Sequence, residues 1–252
     1  MRYHRPMQAM RLDQALVERG LVATRSRARD LIRRGEVTVD GAVATKPAAA
    51  VSPGSAIALS PGAGDYVSRG ALKLAAALDR FALSPAGRIC LDVGASTGGF
   101  TETLLRRGAA RVHAVDVGTG QLDAALAADA RVAVLEQTDV RRLDRSVIPD
   151  PVAAVVADVS FMSLTLALPA ALALTAPGAW LVALVKPQFE AGRAAVGKGG
   201  IVRDAAAHAA AVEKVRAWIA AQPGWRPLGV LPSPVTGGSG NAEFLIAAVR
   251  DD

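Results

Sequence analysis

From Ile89 onward, short apolar runs alternate with amphipathic stretches: Ile89–Val93, Val112–Val115, Val132–Leu135, Val152–Ala157 and Trp180–Val185. Strand-sized runs separated by helix-sized segments predict a parallel sheet covered on both faces. Leu228–Leu231 and Glu243–Val249 read as a closing strand pair, which makes a mostly parallel, seven-stranded sheet of the Rossmann-like α/β class. Ahead of it, Leu74, Leu78 and Phe81 share one side of a helix; Lys73 lies off that stripe. Near the other end Asp204 caps an alanine-rich helix running to about Ala221. Val159–Val185 carries no charge, and about 20 apolar residues suffice to cross a bilayer. Pro169 and the Pro177-Gly178 pair divide that stretch into a helix-sized Leu164–Leu174 and a strand-sized Trp180–Val185, so a buried α/β unit is expected rather than a membrane span.

The first sixty residues follow a different pattern. Residues 1–9 read as an extension. Leu12, Ala15, Leu16 and Arg19 fall at helical spacing before Gly20. Thr24 can cap a second helix running to Arg34 and ended by Gly35, with Ala28, Leu31 and Ile32 as its apolar stripe. Val37-Thr38-Val39, the turn Asp40-Gly41 and Val43 form a hairpin, and Ala56–Leu59 adds a short strand. The boundaries expected are a small α+β domain over 10–60, a linker over 61–67, and a large domain over 68–252.

Charge sharpens that division. Residues 1–60 hold ten Lys and Arg against five Asp and Glu, whereas residues 61–252 hold 19 against 18, within a net charge of +6. Arg25, Arg29 and Arg33 recur every four residues on the second helix, flanked by Arg27 and Arg34; Arg11 and Lys46 add to the same unit. Planar guanidinium forks suit RNA phosphates, and the absence of aromatic residues between Arg11 and Leu59 favours backbone and shape recognition over base stacking. The single cysteine, Cys90, excludes an intrachain disulfide and argues against a metal cluster, so no metal is expected. No secretory signal opens the chain, which predicts a cytoplasmic setting.

The candidate cofactor turn is Asp92-Val93-Gly94-Ala95-Ser96-Thr97-Gly98-Gly99-Phe100, after the first strand of the large domain. A dinucleotide fingerprint needs glycine at the first, third and sixth positions. Gly94 is first, but Ser96 stands third, where a pyrophosphate would approach the backbone; a cofactor without phosphates, S-adenosylmethionine, tolerates a side chain there. Asp92, Asp116, Asp139, Asp158 and Lys186 each stand at or near the carboxyl end of a predicted strand, the edge where open α/β sheets bind ligands.

Four groups adjoin that edge: Lys73, Asp158, Lys186 and Glu243. Methylating a ribose 2′-OH needs a base, and a free lysine of pKa ~10.4 is protonated at neutral pH. Burial and a second cation lower a lysine pKa, and a carboxylate orients it. Lys186 is therefore assigned as base, Asp158 and Glu243 as orienting carboxylates, and Lys73 as the second cation. The cofactor turn, Gly94, Ser96, Thr97, Gly98, Gly99 and Phe100, is expected to cradle the methionine end, with Asp92 near its amino group. Asp116 suits the ribose hydroxyls and Asp139 the adenine amino group.

Arg11-Leu12-Asp13, Ser26-Arg27-Ala28-Arg29-Asp30-Leu31-Ile32, Gly35-Glu36-Val37 and Val39-Asp40-Gly41 resemble the α-L-type RNA-binding domain. From about Val67 the chain resembles the FtsJ-like ribose 2′-O-methyltransferases, in which the order Lys-Asp-Lys-Glu is the catalytic tetrad. Tyr66-Val67-Ser68-Arg69-Gly70-x-x-Lys73-Leu74, Asp158-Val159-Ser160-Phe161, Val185-Lys186-Pro187-Gln188-Phe189-Glu190, Gly197–Asp204 and Gly240-Asn241-x-Glu243-Phe244 extend the likeness to the TlyA family, whose members are often called haemolysins. That resemblance implies transfer of a methyl group from S-adenosylmethionine to cytidine 2′-OH groups of ribosomal RNA in one or both subunits, with the N-terminal module docking the ribosome. Many FtsJ-like turns have proline where Thr97 stands. A membrane-lytic protein and a non-catalytic ribosome-binding factor are the competing readings; the segmented apolar stretch opposes the first, and transfer of a labelled methyl group excludes the second. Gly192–Gly200 is expected to be a mobile loop, and Pro232–Asn241, long for a hairpin, a functional one.

Overall fold

The computed structural model describes residues 9–60, 64, 66–237 and 240–251, and the chain divides into two compact units, Met1–Tyr66 and Val67–Asp252. Residues 1–8, positions 61–63 and 65 of the expected linker, and residues 238–239 of the long loop lie outside the described residues.

The small unit runs β1 (Met10–Arg11), α1 (Leu12–Glu18), α2 (Arg25–Arg33), β2 (Val37–Val39), β3 (Ala42–Val43), β4 (Ala50–Val51) and β5 (Ile57–Leu59). Thr24 caps α2 by accepting the Arg27 N–H, and Gly35 ends it at φ +69°. Asp40 and Gly41, at φ +50° and +82°, turn the hairpin. Leu12, Leu16, Leu31 and Ile32 are all but inaccessible and form the core with Ala15, Ala28 and Val37; each such leucine contributes roughly 1.5–3 kcal/mol. The β1–β4 pair was not expected, because two-residue strands are too short to show an alternating pattern.

The large unit contains α3 (Gly70–Phe81), β6 (Ile89–Val93), α4 (Gly99–Arg106), β7 (Arg111–Val115), α5 (Ala124–Ala127), β8 (Val132–Leu135), β9 (Val152–Ala157), α6 (Leu164–Ala173), β10 (Thr175–Val185), α7 (Pro187–Glu190), α8 (Ala205–Ala220), β11 (Trp225–Pro232) and β12 (Phe244–Arg250). Its seven strands lie in the order β11-β12-β10-β9-β6-β7-β8. Pairings from β10 through β8 are parallel, and β12 runs antiparallel to both its neighbours. This is the expected mostly parallel α/β sheet. Its strand order reverses between β6 and β9, the position where such sheets hold ligands beyond their carboxyl ends.

Two expectations about the uncharged stretch need correction. Pro169 does not divide the stretch: the expected helix Leu164–Leu174 forms as α6 with Pro169 inside it, where the surrounding apolar packing of Leu164, Leu168 and Leu172 outweighs one lost backbone bond. Pro177-Gly178 does not end a segment either. The register moves from Thr175↔Val152 to Trp180↔Ala154, so a bulge absorbs them and β10 begins five residues before Trp180. Among the described residues no helix is long and apolar enough to cross a membrane.

Candidate active site

Sheet register brings the proposed catalytic groups together. Asp158 follows β9 and its N–H donates to the Val93 carbonyl at 2.9 Å, so it stands beside the glycine turn. Val185 at the end of β10 pairs with Phe244 at the start of β12, which sets Lys186 opposite Glu243. Helix α3 packs on β11 and β12 and carries Lys73 to the same place. The four groups form two ion pairs: Lys186 Nζ lies 2.7 Å from Asp158, and Lys73 Nζ lies 2.5 Å from Glu243. Lys186 also donates to Ser160 Oγ at 2.9 Å. Lys73 is 8% exposed and Glu243 5%. Gly237 is needed where the long loop crosses Glu243, since a Cβ there would come within 2.5 Å of the carboxylate.

Two clefts meet at these residues. The first, about 330 Å³, is lined by Gly94, Ser96, Asp116, Gln121, Asp139 and Asp158, with Val117, Val140 and Met162 as apolar wall. The second, about 310 Å³, is lined by Lys186, Gln188, Phe189, Gly199, Asn241 and Glu243. Ser160 and Phe161 belong to both. Phe161 is 92% exposed and adopts φ +63°, a conformation rare for a bulky residue. Its ring lies 5.3 Å from that of Phe189. Lys73 lines neither cleft and backs Glu243.

The glycine turn divides into two parts with different work. Gly94, at φ +85°, packs so closely that a Cβ would meet the Asp158 carbonyl at 2.6 Å, and with Ser96 it faces the first cleft. Thr97 is exposed beside Ser96. Gly98, Gly99 and Phe100 do not reach the cleft, contrary to expectation. A Cβ on Gly98 would strike Leu126, one on Gly99 would strike Ser68 and the Ala71 N–H, and Phe100 is 3% exposed in the core. The small size of Gly98 and Gly99 is demanded by α4 packing tightly against the start of α3 and against α5.

The acidic residues also differ from one another. Asp116 accepts the N–H groups of Ser96 and Gly118, each at 2.8 Å, which ties a carboxylate to the backbone of the glycine turn. Asp139 lines the cleft while capping a short turn and pairing with Arg141, which holds its pKa down to about 2. Asp92 is wholly buried beneath the turn. Its Oδ2 accepts the Thr101 hydroxyl at 2.7 Å, its Oδ1 has no partner among the described residues, and burial pushes its pKa up to about 7.

Several contributors escaped the sequence reading. Glu136, directly after β8, accepts three N–H groups from Gly120, Gln121 and Leu122 and so fixes the loop that carries Gln121 to the cleft. Its position at a strand end was the available signal. Asn241, 2% exposed, accepts the Val202 N–H and donates to the Gly200 carbonyl, both at 3.0 Å. The segment expected to be a mobile loop is thereby tied to the second cleft. Glu190 accepts from Ser163, the Leu164 N–H and Lys214, capping α6 rather than facing a cleft.

In the small unit the arginines separate into two sets. Arg11, Arg25 and Arg29 each lie 2.9 Å from the carboxylate of Asp13, which has no accessible surface. Arg27 and Arg34 instead flank Asp30 and donate to the Gly64 and Tyr66 carbonyls. These two hold the end of their own unit, which corrects their grouping with a free basic face. Arg33 and Lys46 are exposed.

Residues 66–250 match the model of FtsJ-like methyltransferases, and residues 10–57 match the S4 domain. The chain is 50% identical over 237 residues to the 16S/23S rRNA (cytidine-2'-O)-methyltransferase TlyA of Mycobacterium tuberculosis, covering 94% of this chain and 88% of that one. It is 38% identical to Hemolysin A of Brachyspira hyodysenteriae, with 94% and 98% covered. The solved structure of a protein described as a hemolysin, from Streptococcus thermophilus, superposes with a TM-score of 0.76 at 41% identity, covering 98% of this chain and 90% of the other. The chain belongs to the TlyA group of the FtsJ-like methyltransferase family and carries that group's S4 domain at its amino-terminal side.

Proposed function

We propose that this chain transfers a methyl group from S-adenosylmethionine to the 2′-OH of a cytidine in ribosomal RNA, and that Lys186 accepts the hydroxyl proton. The observation that carries this reading is the Lys186–Asp158 pair at 2.7 Å, set where two clefts share Ser160 and Phe161.

The first cleft fits the cofactor. Asp116, Asp139 and Asp158 make a lining that repels phosphates and suits a cation and a ribose diol, and Val117, Val140 and Met162 offer apolar walls for a purine. The unpartnered Asp92 Oδ1 beneath Gly94 is a further acceptor for a positively charged or N–H group. When bound there, S-adenosylmethionine supplies a methyl carbon activated by a positively charged sulfur.

The remaining chemistry belongs to the chain. Asp158 and Ser160 hold the Lys186 amine at one position, and the amine, once its ammonium form has released a proton to solvent, takes the hydroxyl proton within hydrogen-bond reach. Glu243, fixed by Lys73, closes the far side of the second cleft and orients the amine or the ribose. The exposed Phe161 ring offers a face on which the base of the target nucleotide can stack. Arg11, Arg25, Arg29, Arg33 and Lys46 of the S4 domain bind RNA phosphates, and ribosomal partners imply action in the cytoplasm.

The test incubates the full chain with labelled S-adenosylmethionine and 30S, 50S and 70S particles, then maps 2′-O-methylation. Transfer to cytidine ribose that is lost in Lys186→Ala supports the reading. Binding of particles without any transfer would leave a ribosome-binding factor in its place, and transfer undiminished in Lys186→Ala would remove Lys186 as the base.

A further inference from the structure

We propose that Asp13 is a positioning residue for RNA recognition: one buried carboxylate gathers Arg11, Arg25 and Arg29 into a preset phosphate-binding cluster. This rests on the RNA-binding reading of the S4 domain and goes beyond it, because it makes a negative charge essential to a basic surface.

The geometry is specific. Asp13 Oδ1 accepts from Arg11 Nε at 2.9 Å. Oδ2 accepts from Arg11 Nη2 at 3.2 Å, Arg25 Nη2 at 2.9 Å and Arg29 Nε at 2.9 Å. Three of the four bonds converge on Oδ2 and the fourth on Oδ1, so all three guanidinium groups meet at one carboxylate. The Asp13 side chain has no accessible surface, whereas the three arginine side chains are 44–45% exposed. The carboxylate is therefore hidden from a ligand and the guanidinium groups are not.

Each guanidinium retains most of its N–H donors for a partner outside the cluster. Those donors suit the oxygens of an RNA backbone phosphate, which accept the forked, charge-assisted bonds that arginine makes. Three guanidinium groups this close repel one another, and without a common anion each would spread into solvent with full rotamer freedom. Asp13 removes that freedom before RNA arrives, so the ordering cost is not met on binding. The chain supports the arrangement: the Asp13 N–H donates to the Pro47 carbonyl at 3.0 Å, which brings the segment next to Lys46 against the start of α1.

The proposal makes a counterintuitive prediction. Asp13→Asn adds one positive charge, so binding governed by net charge alone would tighten, with a steeper dependence on salt. Positioning predicts the reverse. The full chain is titrated with purified ribosomal subunits over a range of salt, with thermal unfolding followed in parallel. Asp13→Asn is expected to weaken binding about tenfold and to make the plot of log affinity against log salt shallower by one to two phosphate contacts. Asp13→Glu, which keeps the anion, should recover part of the loss.

If Asp13→Asn unfolds the small unit, the half-exposed pair Arg25→Lys with Arg29→Lys decides the matter. It keeps every charge but replaces the forks, and the same weakening is expected with an unchanged unfolding temperature. Binding as tight as wild type in that double variant, or tighter binding by folded Asp13→Asn, would overturn the role of Asp13. Failure of the wild-type chain to bind subunits would instead remove the RNA reading beneath it.

Discussion

Asp13 and Asp92 are both completely buried, and the two units treat them in opposite ways. Asp13 is surrounded by three guanidinium groups, led by the bond from Arg11, and its carboxyl is held far below the usual carboxylate range. Asp92 has one hydroxyl donor and an oxygen without a partner among the described residues, and burial raises it to about 7. Burial alone disfavours a carboxylate charge; a ring of cations reverses that sign. In the S4 domain the buried anion is spent on arranging surface cations. In the methyltransferase domain it is left under the glycine turn with one oxygen unpartnered among the described residues.

Lys186–Asp158 and Lys73–Glu243 stand between these extremes, with one cation per carboxylate and with lysine in place of arginine. Arginine stays charged and lysine can give up its proton, so the two domains are equipped for different tasks. The largest expected effect tests that difference. Lys186→Ala should lower methyl transfer by about 10²- to 10⁴-fold with cofactor binding nearly unchanged, and Lys186→Arg should not recover it, because a guanidinium cannot act as a base at neutral pH. Radiolabel transfer and calorimetric cofactor titration measure the two quantities. An active Lys186→Arg would mean that the amine is only a positive charge, as in the Asp13 cluster.

Next in size is the single-cation pair. Lys73→Met leaves Glu243 buried without its cation, and should cost about 3–5 kcal/mol of stability. Lys73→Met combined with Glu243→Met should regain most of that in denaturant titration while methyl transfer stays low. A combined variant as unstable as the single one would show that the pair is not what holds this corner.

A smaller effect separates the two aspartates by pH. A carboxylate whose folded pKa is raised favours the folded state below its unfolded value near 3.8 and loses that contribution as pH rises through about 7. Asp92→Asn should therefore unfold several degrees higher than wild type at about pH 8, with the difference vanishing near pH 4. Asp13, with its pKa depressed, contributes above its unfolded value and loses that contribution only in stronger acid. Equal behaviour of Asp92→Asn and wild type across this range would deny the contrast. The smallest effect concerns Arg33, which is exposed and outside the Asp13 cluster. Arg33→Glu should weaken subunit binding only a few-fold and reduce the salt slope by about one contact.

Much of this was legible in the chain because it depends on local periodicity and local chemistry. Alternating apolar runs announced β6, β7, β8 and β9, Thr24 and Asp204 announced their helices, and the base-rich first sixty residues announced a separate unit. Family resemblance singled out Lys73, Asp158, Lys186 and Glu243, and the rule that polar groups gather at strand ends singled out Asp158 and Lys186; the structure brings the four together as two ion pairs.

Packing decided what local pattern could not. Gly98, Gly99 and Phe100 belong to the same glycine turn as Gly94 and Ser96, yet only contact with α3 and α5 shows that they serve the core. Arg25, Arg27, Arg29 and Arg34 share one helix and one chemistry. Asp13 on a different helix claims two of them, and Asp30 and the carbonyls of residues 64 and 66 claim the others. The sequence by itself determined which residue types could bind RNA, hold a cofactor or move a proton. Tertiary structure decided how they are paired, because an ion pair depends on distance and burial, and both are set by which strands and helices lie side by side.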